Sequence, residues 1–81
     1  MIVKVLYFAA AQDLTSRKSE QMELARESTL GSLAEEILRA HPALKLLRGS
    51  IRFSVNLEVV DEDTALREGD EVGVLPPVAG G

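Results

Sequence analysis

The chain has 81 residues, the size of one small domain, with 46% apolar and 27% charged residues, an ordinary globular composition. It contains no Cys and one His, which excludes disulfides, thiolate metal sites, a side-chain sulfur shuttle and any ordinary structural zinc site. Its net charge of -4, from 9 basic and 13 acidic residues, comes without a basic run, so nucleic acid is a poor partner, and no apolar stretch approaches the roughly 20 residues of a membrane span. The start, Met1-Ile2-Val3-Lys4, lacks a signal-peptide layout. The expectation is a cytoplasmic domain that works with partners. Aromatics are scarce, so the core must be built from Val, Leu, Ile and Ala.

Ile2 to Ala11 is apolar apart from Lys4 and rich in β-branched and aromatic residues, which predicts a strand. Lys4 sets its phase: Lys4, Leu6 and Phe8 face water, and Val3, Val5 and Tyr7 face the core. The polar stretch Gln12 to Ser19 reads as a loop. Glu20-Gln21-Met22-Glu23-Leu24 alternates as a half-buried strand, and the short connection suggests an antiparallel hairpin. Leu30, Leu33, Ala34, Ile37 and Leu38 then recur on one helical face. Thr29 can cap this helix, and Ser32-Leu33-Ala34-Glu35 offers an alternative capping box one turn later. Pro42 ends the helix, with His41 in the restricted position before it.

Ala43 to Gly49 reads as a connector with one short turn around Leu44 to Leu47. Ile51 to Val55 alternates as a third strand, with Ile51, Phe53 and Val55 inward. Asn56 suits a turn, and Leu57 to Val60 is a short fourth strand. Asp61-Glu62-Asp63 is a solvated acidic stretch without the glycine-punctuated spacing of a calcium loop. Leu66 plugs the core, and Gly69 supplies a positive φ in the turn before the last strand, Glu71 to Leu75. In that strand Val72 and Val74 point inward, and Glu71, Gly73 and Leu75 point outward. Pro76-Pro77 cannot continue a paired ladder. The order ββαβ, short strand, β is that of a two-layer α+β domain. With the last strand beside the first, it becomes a ubiquitin-like β-grasp: a mixed four- to five-stranded sheet packed on one main helix. Residues 1–75 form the domain and residues 76–81 an extended tail.

The common catalytic motifs are absent: there is no GxGxxG, P-loop, HExxH or Cys-His pair. His41 stands at a helix end with nothing to place it near a nucleophile, and reads as a surface or C-terminal helix residue. The informative segment is the end of the chain. Pro76 and Pro77 stiffen the exit from the fold, and Gly80-Gly81 adds almost no side chain. At roughly 3.3 Å per extended residue, the segment from Pro76 to Gly81 reaches about 20 Å. Such a tail can thread a channel that a Cβ would obstruct, presenting the Gly81 α-carboxylate to another protein's active site. Leu6, Phe8 and Leu75 share the outward phase, so neighbouring first and last strands would place an apolar patch at the tail's exit. Exposed apolar patches mark partner sites.

Val5-Leu6-Tyr7-Phe8-Ala9, Leu66-Arg67-Glu68-Gly69-Asp70-Glu71-Val72 and the ending Pro76-Pro77-Val78-Ala79-Gly80-Gly81 resemble the small subunits of molybdopterin synthase, the ubiquitin-like sulfur carriers of molybdenum cofactor biosynthesis. The resemblance covers nearly the whole chain. It implies that Gly81 is adenylated and converted to a thiocarboxylate, and that Gly80 gives clearance. It also implies that Phe8, Leu75, Pro76, Pro77 and Val78 dock the tail on a partner. The implied partners are a large synthase subunit, in a heterotetramer, an adenylating enzyme resembling ubiquitin-activating enzymes, and a persulfide sulfur donor. The large subunit would use the sulfur to convert cyclic pyranopterin monophosphate to the dithiolene of molybdopterin. ATP and magnesium would be used by the activating enzyme, with no cofactor or metal bound by this chain and no complete active site on it. The alternatives are a sulfur carrier for thiamine synthesis or tRNA thiolation, and a ubiquitin-like binding module whose tail is chemically idle.

Overall fold

A computed structural model describes residues 1–77. Ile2–Tyr7 forms strand β1 with the predicted phase: Val3, Val5 and Tyr7 are buried, Lys4 and Phe8 are exposed, and Leu6 is half-buried. The strand ends before Ala11, because the chain turns at Ala9 with φ 47°. Ala10–Thr15 then forms helix α1, where a strand end and a loop were expected. Alanine favours helix, and tertiary contact decides the outcome. Ala11 is buried, and the buried Thr15 hydroxyl donates to the Ala11 carbonyl at 2.8 Å. Ser16 ends the helix in the left-handed region, φ 57°. The connection to the next strand therefore contains a helix and is not the short link expected.

Ser19–Glu23 forms β2, antiparallel to β1 with Val5 opposite Glu20 and Val3 opposite Met22. Leu30–Ala40 forms α2, whose buried Leu30, Leu33, Ala34 and Ile37 make the predicted stripe. Of the two possible caps Thr29 is used: its hydroxyl oxygen accepts from the Ser32 N–H at 3.2 Å. The His41 N–H donates to the Ile37 carbonyl and closes the helix. Pro42–Ser50 continues as a nine-residue 3-10 helix, longer than the single turn expected. Pro42 suits its first turn, where no N–H is required, and Leu44 buries fully against the core.

Arg52–Val55 forms β3 and Glu58–Val59 forms β4. The fourth strand is shorter than Leu57 to Val60 because Asn56 and Leu57 make a two-residue turn with positive φ at both positions, 50° and 76°. Glu71–Leu75 forms β5. The sheet order is β2-β1-β5-β3-β4, with β5 parallel to β1 and antiparallel to β3. This is the expected β-grasp arrangement, with five strands and α2 covering the inner face.

The segment from Leu66 to Val72 registers β5 against β1. Leu66 is buried as expected, and Gly69 has φ 81°. The Ile2 N–H donates to Glu68 Oε1 at 2.9 Å, and the Gly69 N–H donates to the Ile2 carbonyl at 2.8 Å. Asp70 accepts from the Arg67 N–H and the Asn56 amide, at 2.8 and 3.0 Å, and its carbonyl accepts from the Lys4 N–H at 2.9 Å. Because the strands are parallel, β5 ends beside the end of β1. The acidic stretch is not wholly free in solvent: Arg48 donates to both Glu62 carboxylate oxygens at 2.9 and 2.6 Å.

Candidate functional site

The alternation that buries Val5, Tyr7, Val72 and Val74 sends Leu6, Phe8, Gly73 and Leu75 to the other face of the sheet. Leu6 lies opposite Gly73 across the parallel ladder. The Phe8 N–H donates to the Val74 carbonyl at 3.3 Å, so Phe8 stays aligned with the ladder beyond the end of β1. Gly73 is itself buried. A Cβ placed on it would stand 2.5 Å from Ser54 Oγ, 3.2 Å from Phe8 Cε2 and 3.8 Å from Leu75 Cδ2. Three side chains therefore converge over the glycine. Phe8 retains 44% exposure, and Ile2, further along the same face, retains 42%.

The chain leaves the sheet from this patch. Leu75 and Pro76 are half-buried and Pro77 is exposed. Thus Phe8, Leu75, Pro76 and Pro77, singled out from the sequence, lie at one end of the sheet. Val78, Gly80 and Gly81 lie outside the described residues. Gly73 and Ser54 were not singled out, although a glycine inside a strand is a general signal of close approach.

A polar cluster sits on the inner face at the same end. The Tyr7 hydroxyl donates to Glu20 Oε2 at 2.5 Å, and His41 Nε2 lies 2.5 Å from the same oxygen. The Tyr7 and His41 rings meet edge to face, with centroids 5.4 Å apart. Burial alone would raise the Glu20 carboxyl pKa. The hydrogen bonds from Tyr7 and His41, with the charges of His41 and Arg17, outweigh it and hold the group below its ordinary value. Burial, reinforced by the bond and charge of Glu20, pushes the Tyr7 phenol well above its ordinary value. His41 stands at the C-terminal end of the helix, as expected, but is a half-buried tie between β2 and α2 and not a free surface residue, because Glu20 shares the inward phase of β2 and meets it there. Its side chain is 14% exposed. The Glu62 carboxylate is held low by its bond to Arg48. Among the described residues, no group of three His, Asp or Glu is arranged to hold a metal ion, and no helix is long and apolar enough to cross a membrane.

The ThiS family matches residues 5–81. The chain belongs to the ThiS family. Relatives from several organisms are named molybdopterin synthase sulfur carrier subunit. The one from Chlamydomonas reinhardtii is 36% identical, covering 100% of both chains. The one from Homo sapiens is 39% identical, covering 98% of this chain and 93% of its own. Their names bear out the resemblance seen in the sequence. Among solved structures, a putative molybdopterin converting factor subunit 1 from Pyrococcus furiosus has TM-score 0.87 and 34% identity, covering 96% of this chain and 99% of that one. SAMP1 from Haloferax volcanii has TM-score 0.90 and 25% identity, with full coverage of both chains at 100%. A protein–protein complex of subunits 1 and 2 of molybdopterin-converting factor from Helicobacter pylori contains a chain with TM-score 0.73, 28% identity and 100% coverage of both chains. The β-grasp of this ThiS-family chain is therefore shared with proteins that include a subunit of a two-protein complex.

Proposed function

We propose that this chain is the sulfur carrier subunit of a molybdopterin synthase and that the Gly81 α-carboxylate carries the sulfur. The observation that carries the reading is the place where the chain leaves the fold. Parallel pairing of β1 and β5 sends Pro76-Pro77 off the sheet directly beside Phe8 and Leu75. The proposed docking patch and the start of the proposed tail thus adjoin at the end of β5. The relatives named as sulfur carriers over their full length, and the two-subunit complex, supply the chemical context.

A free carboxylate is a poor acyl donor, because oxide would have to leave. In the proposed sequence the Gly81 carboxylate attacks ATP on a magnesium-dependent activating enzyme, pyrophosphate leaves, and an acyl-adenylate forms. The outer sulfur of a persulfide displaces AMP. A thiol then cleaves the S–S bond, leaving the thiocarboxylate on Gly81 and a disulfide on the donor side. The loaded tail enters the large subunit, its sulfur bonds to a side-chain carbon of cyclic pyranopterin monophosphate in place of an oxygen, and water cleaves the resulting thioester, leaving the sulfur on the pterin and returning the Gly81 carboxylate. Two sulfurs per dithiolene require two loaded carriers or two loading cycles. This chain supplies the reacting group and the docking surface, and the transfer chemistry belongs to the large subunit. The absence of Cys fits a carrier whose sulfur rides on the main chain.

Intact mass after incubation with an activating enzyme, ATP, magnesium and a persulfide donor tests the loading step. The expected gain is the mass difference between sulfur and oxygen, located on the fragment that contains Gly81. An unchanged mass would contradict it.

A further inference from the structure

Phe8, the exposed aromatic of the proposed docking patch, stands just beyond the end of β1. It follows the last residue of β1 and is followed by Ala9 with φ 47°. What confines its ring comes from the neighbouring strands. On β5, Gly73 leaves the space into which Phe8 Cε2 reaches, 3.2 Å from where a Cβ would stand. On β3, Ser54 lies opposite Gly73 in the antiparallel register, and its Oγ closes the other side at 2.5 Å from the same point. Leu75 Cδ2 bounds the space at 3.8 Å. Any larger residue at 73 would meet the ring and the serine together.

We infer that Gly73, walled by Ser54, is a positioning residue: it seats the Phe8 ring over β5 in the pose that the synthase large subunit receives. The inference rests on the docking reading above. A ring seated in the free chain loses little freedom on association, whereas a ring lifted off the sheet must be ordered at that moment. Gly73 thereby sets the shape of the patch at the tail's exit without itself touching the partner.

The test compares Ser54→Ala, the double variant Ser54→Ala/Gly73→Ala, and Phe8→Ala in both backgrounds. The Ser54→Ala change removes the 2.5 Å obstacle, so an added Cβ then meets chiefly the Phe8 ring. The readouts are thermal melts, calorimetric affinity for the large subunit, and nuclear Overhauser contacts between Phe8 ring protons and the α-protons of residue 73. The wild-type chain is expected to show the ring contacts, and Ser54→Ala, which opens one wall of the seat but keeps the space over Gly73, sets the reference affinity for the double variant. The double variant should keep a cooperative melt, lose the ring contacts and bind about three- to tenfold more weakly. Phe8→Ala should cost less in the double-variant background than in wild type, which is the coupling expected of one shared device. Ser54→Val, which crowds the same space with Gly73 retained, should reproduce the losses, and it decides the matter if the double variant unfolds.

Absence of ring contacts in the wild-type chain would overturn the seat. So would full affinity in a variant whose ring has lifted. If Phe8→Ala in the wild-type chain leaves affinity unchanged, the docking reading itself fails and the proposal fails with it. Phe8→Ala thus separates failure of the docking reading from failure of the seat alone.

Discussion

Phe8 and Val74 lie within one hydrogen bond of each other and belong to opposite faces of the sheet. That separation gives a sharp expectation for single substitutions. Burying a large apolar side chain at an interface contributes roughly 1.5–3 kcal/mol. Phe8→Ala or Leu75→Ala should therefore weaken binding to the large subunit about tenfold or more, with a small loss of fold stability. Val5→Ala and Val74→Ala, at 0% and 1% exposure, should do the reverse. Each leaves a core cavity and costs roughly 2 kcal/mol, lowering the melting temperature by about 10 °C in a domain of this size. Calorimetric titrations and melts of the four variants check the split. Unfolding by Phe8→Ala, with unchanged binding per folded molecule, would contradict it. Gly80→Val carries a separate expectation about passage through a narrow channel. A β-branched residue restricts the backbone and adds bulk, so adenylation or sulfur delivery should fall while the melt stays unchanged. Wild-type turnover in both assays would remove the channel argument.

The strands were legible because each carries its own signal. The phase of β1 follows from Lys4 alone, and the stripe of α2 from five apolar residues at helical spacing. Helix α1 was not legible. Ala9, Ala10 and Ala11 prolong the apolar run of β1, and the break falls on Ala9, whose positive φ has no signature in an alanine. The site was half legible in the same way. Alternation placed Phe8 and Leu75 outward. That Gly73 and Ser54 form the floor beneath them depends on strand register, which only the assembled sheet sets. The cluster of Tyr7, Glu20 and His41 joins three elements remote in sequence, and it makes stability depend on pH. The Glu20 pKa is lowered in the fold, so its contribution is present above the ordinary carboxylate value of 4.5 and is lost as pH falls through the lowered value. The Tyr7 pKa is raised, so its contribution is full below the ordinary phenol value of 10.0 and declines as pH rises toward the raised value. Glu20→Ala leaves the Tyr7 hydroxyl and His41 without their shared acceptor and should cost about 1–3 kcal/mol near neutral pH. Melts across pH should show this gap narrowing in acid. A constant gap down to about pH 2 would contradict the assignment.

The architecture separates two tasks. The sheet, its helices and the turn at Gly69 fix where β5 ends, and in the proposed function the segment beyond Leu75 is what reaches another protein. Chemistry at a free α-carboxylate tolerates nothing attached to it. Extending the chain by one residue past Gly81 should therefore abolish sulfur transfer while leaving the circular dichroism spectrum and melting temperature unchanged. Full activity of the extended chain, without trimming, would rule out a terminal thiocarboxylate. The most direct test of the sulfur-carrier assignment is reconstitution. The thiocarboxylated chain is mixed with the large subunit and cyclic pyranopterin monophosphate, and molybdopterin is measured against carrier consumed. The account predicts one molybdopterin for every two thiocarboxylates spent, and none from the unloaded chain. Loaded carrier that docks on the large subunit and yields no sulfurated pterin would contradict it.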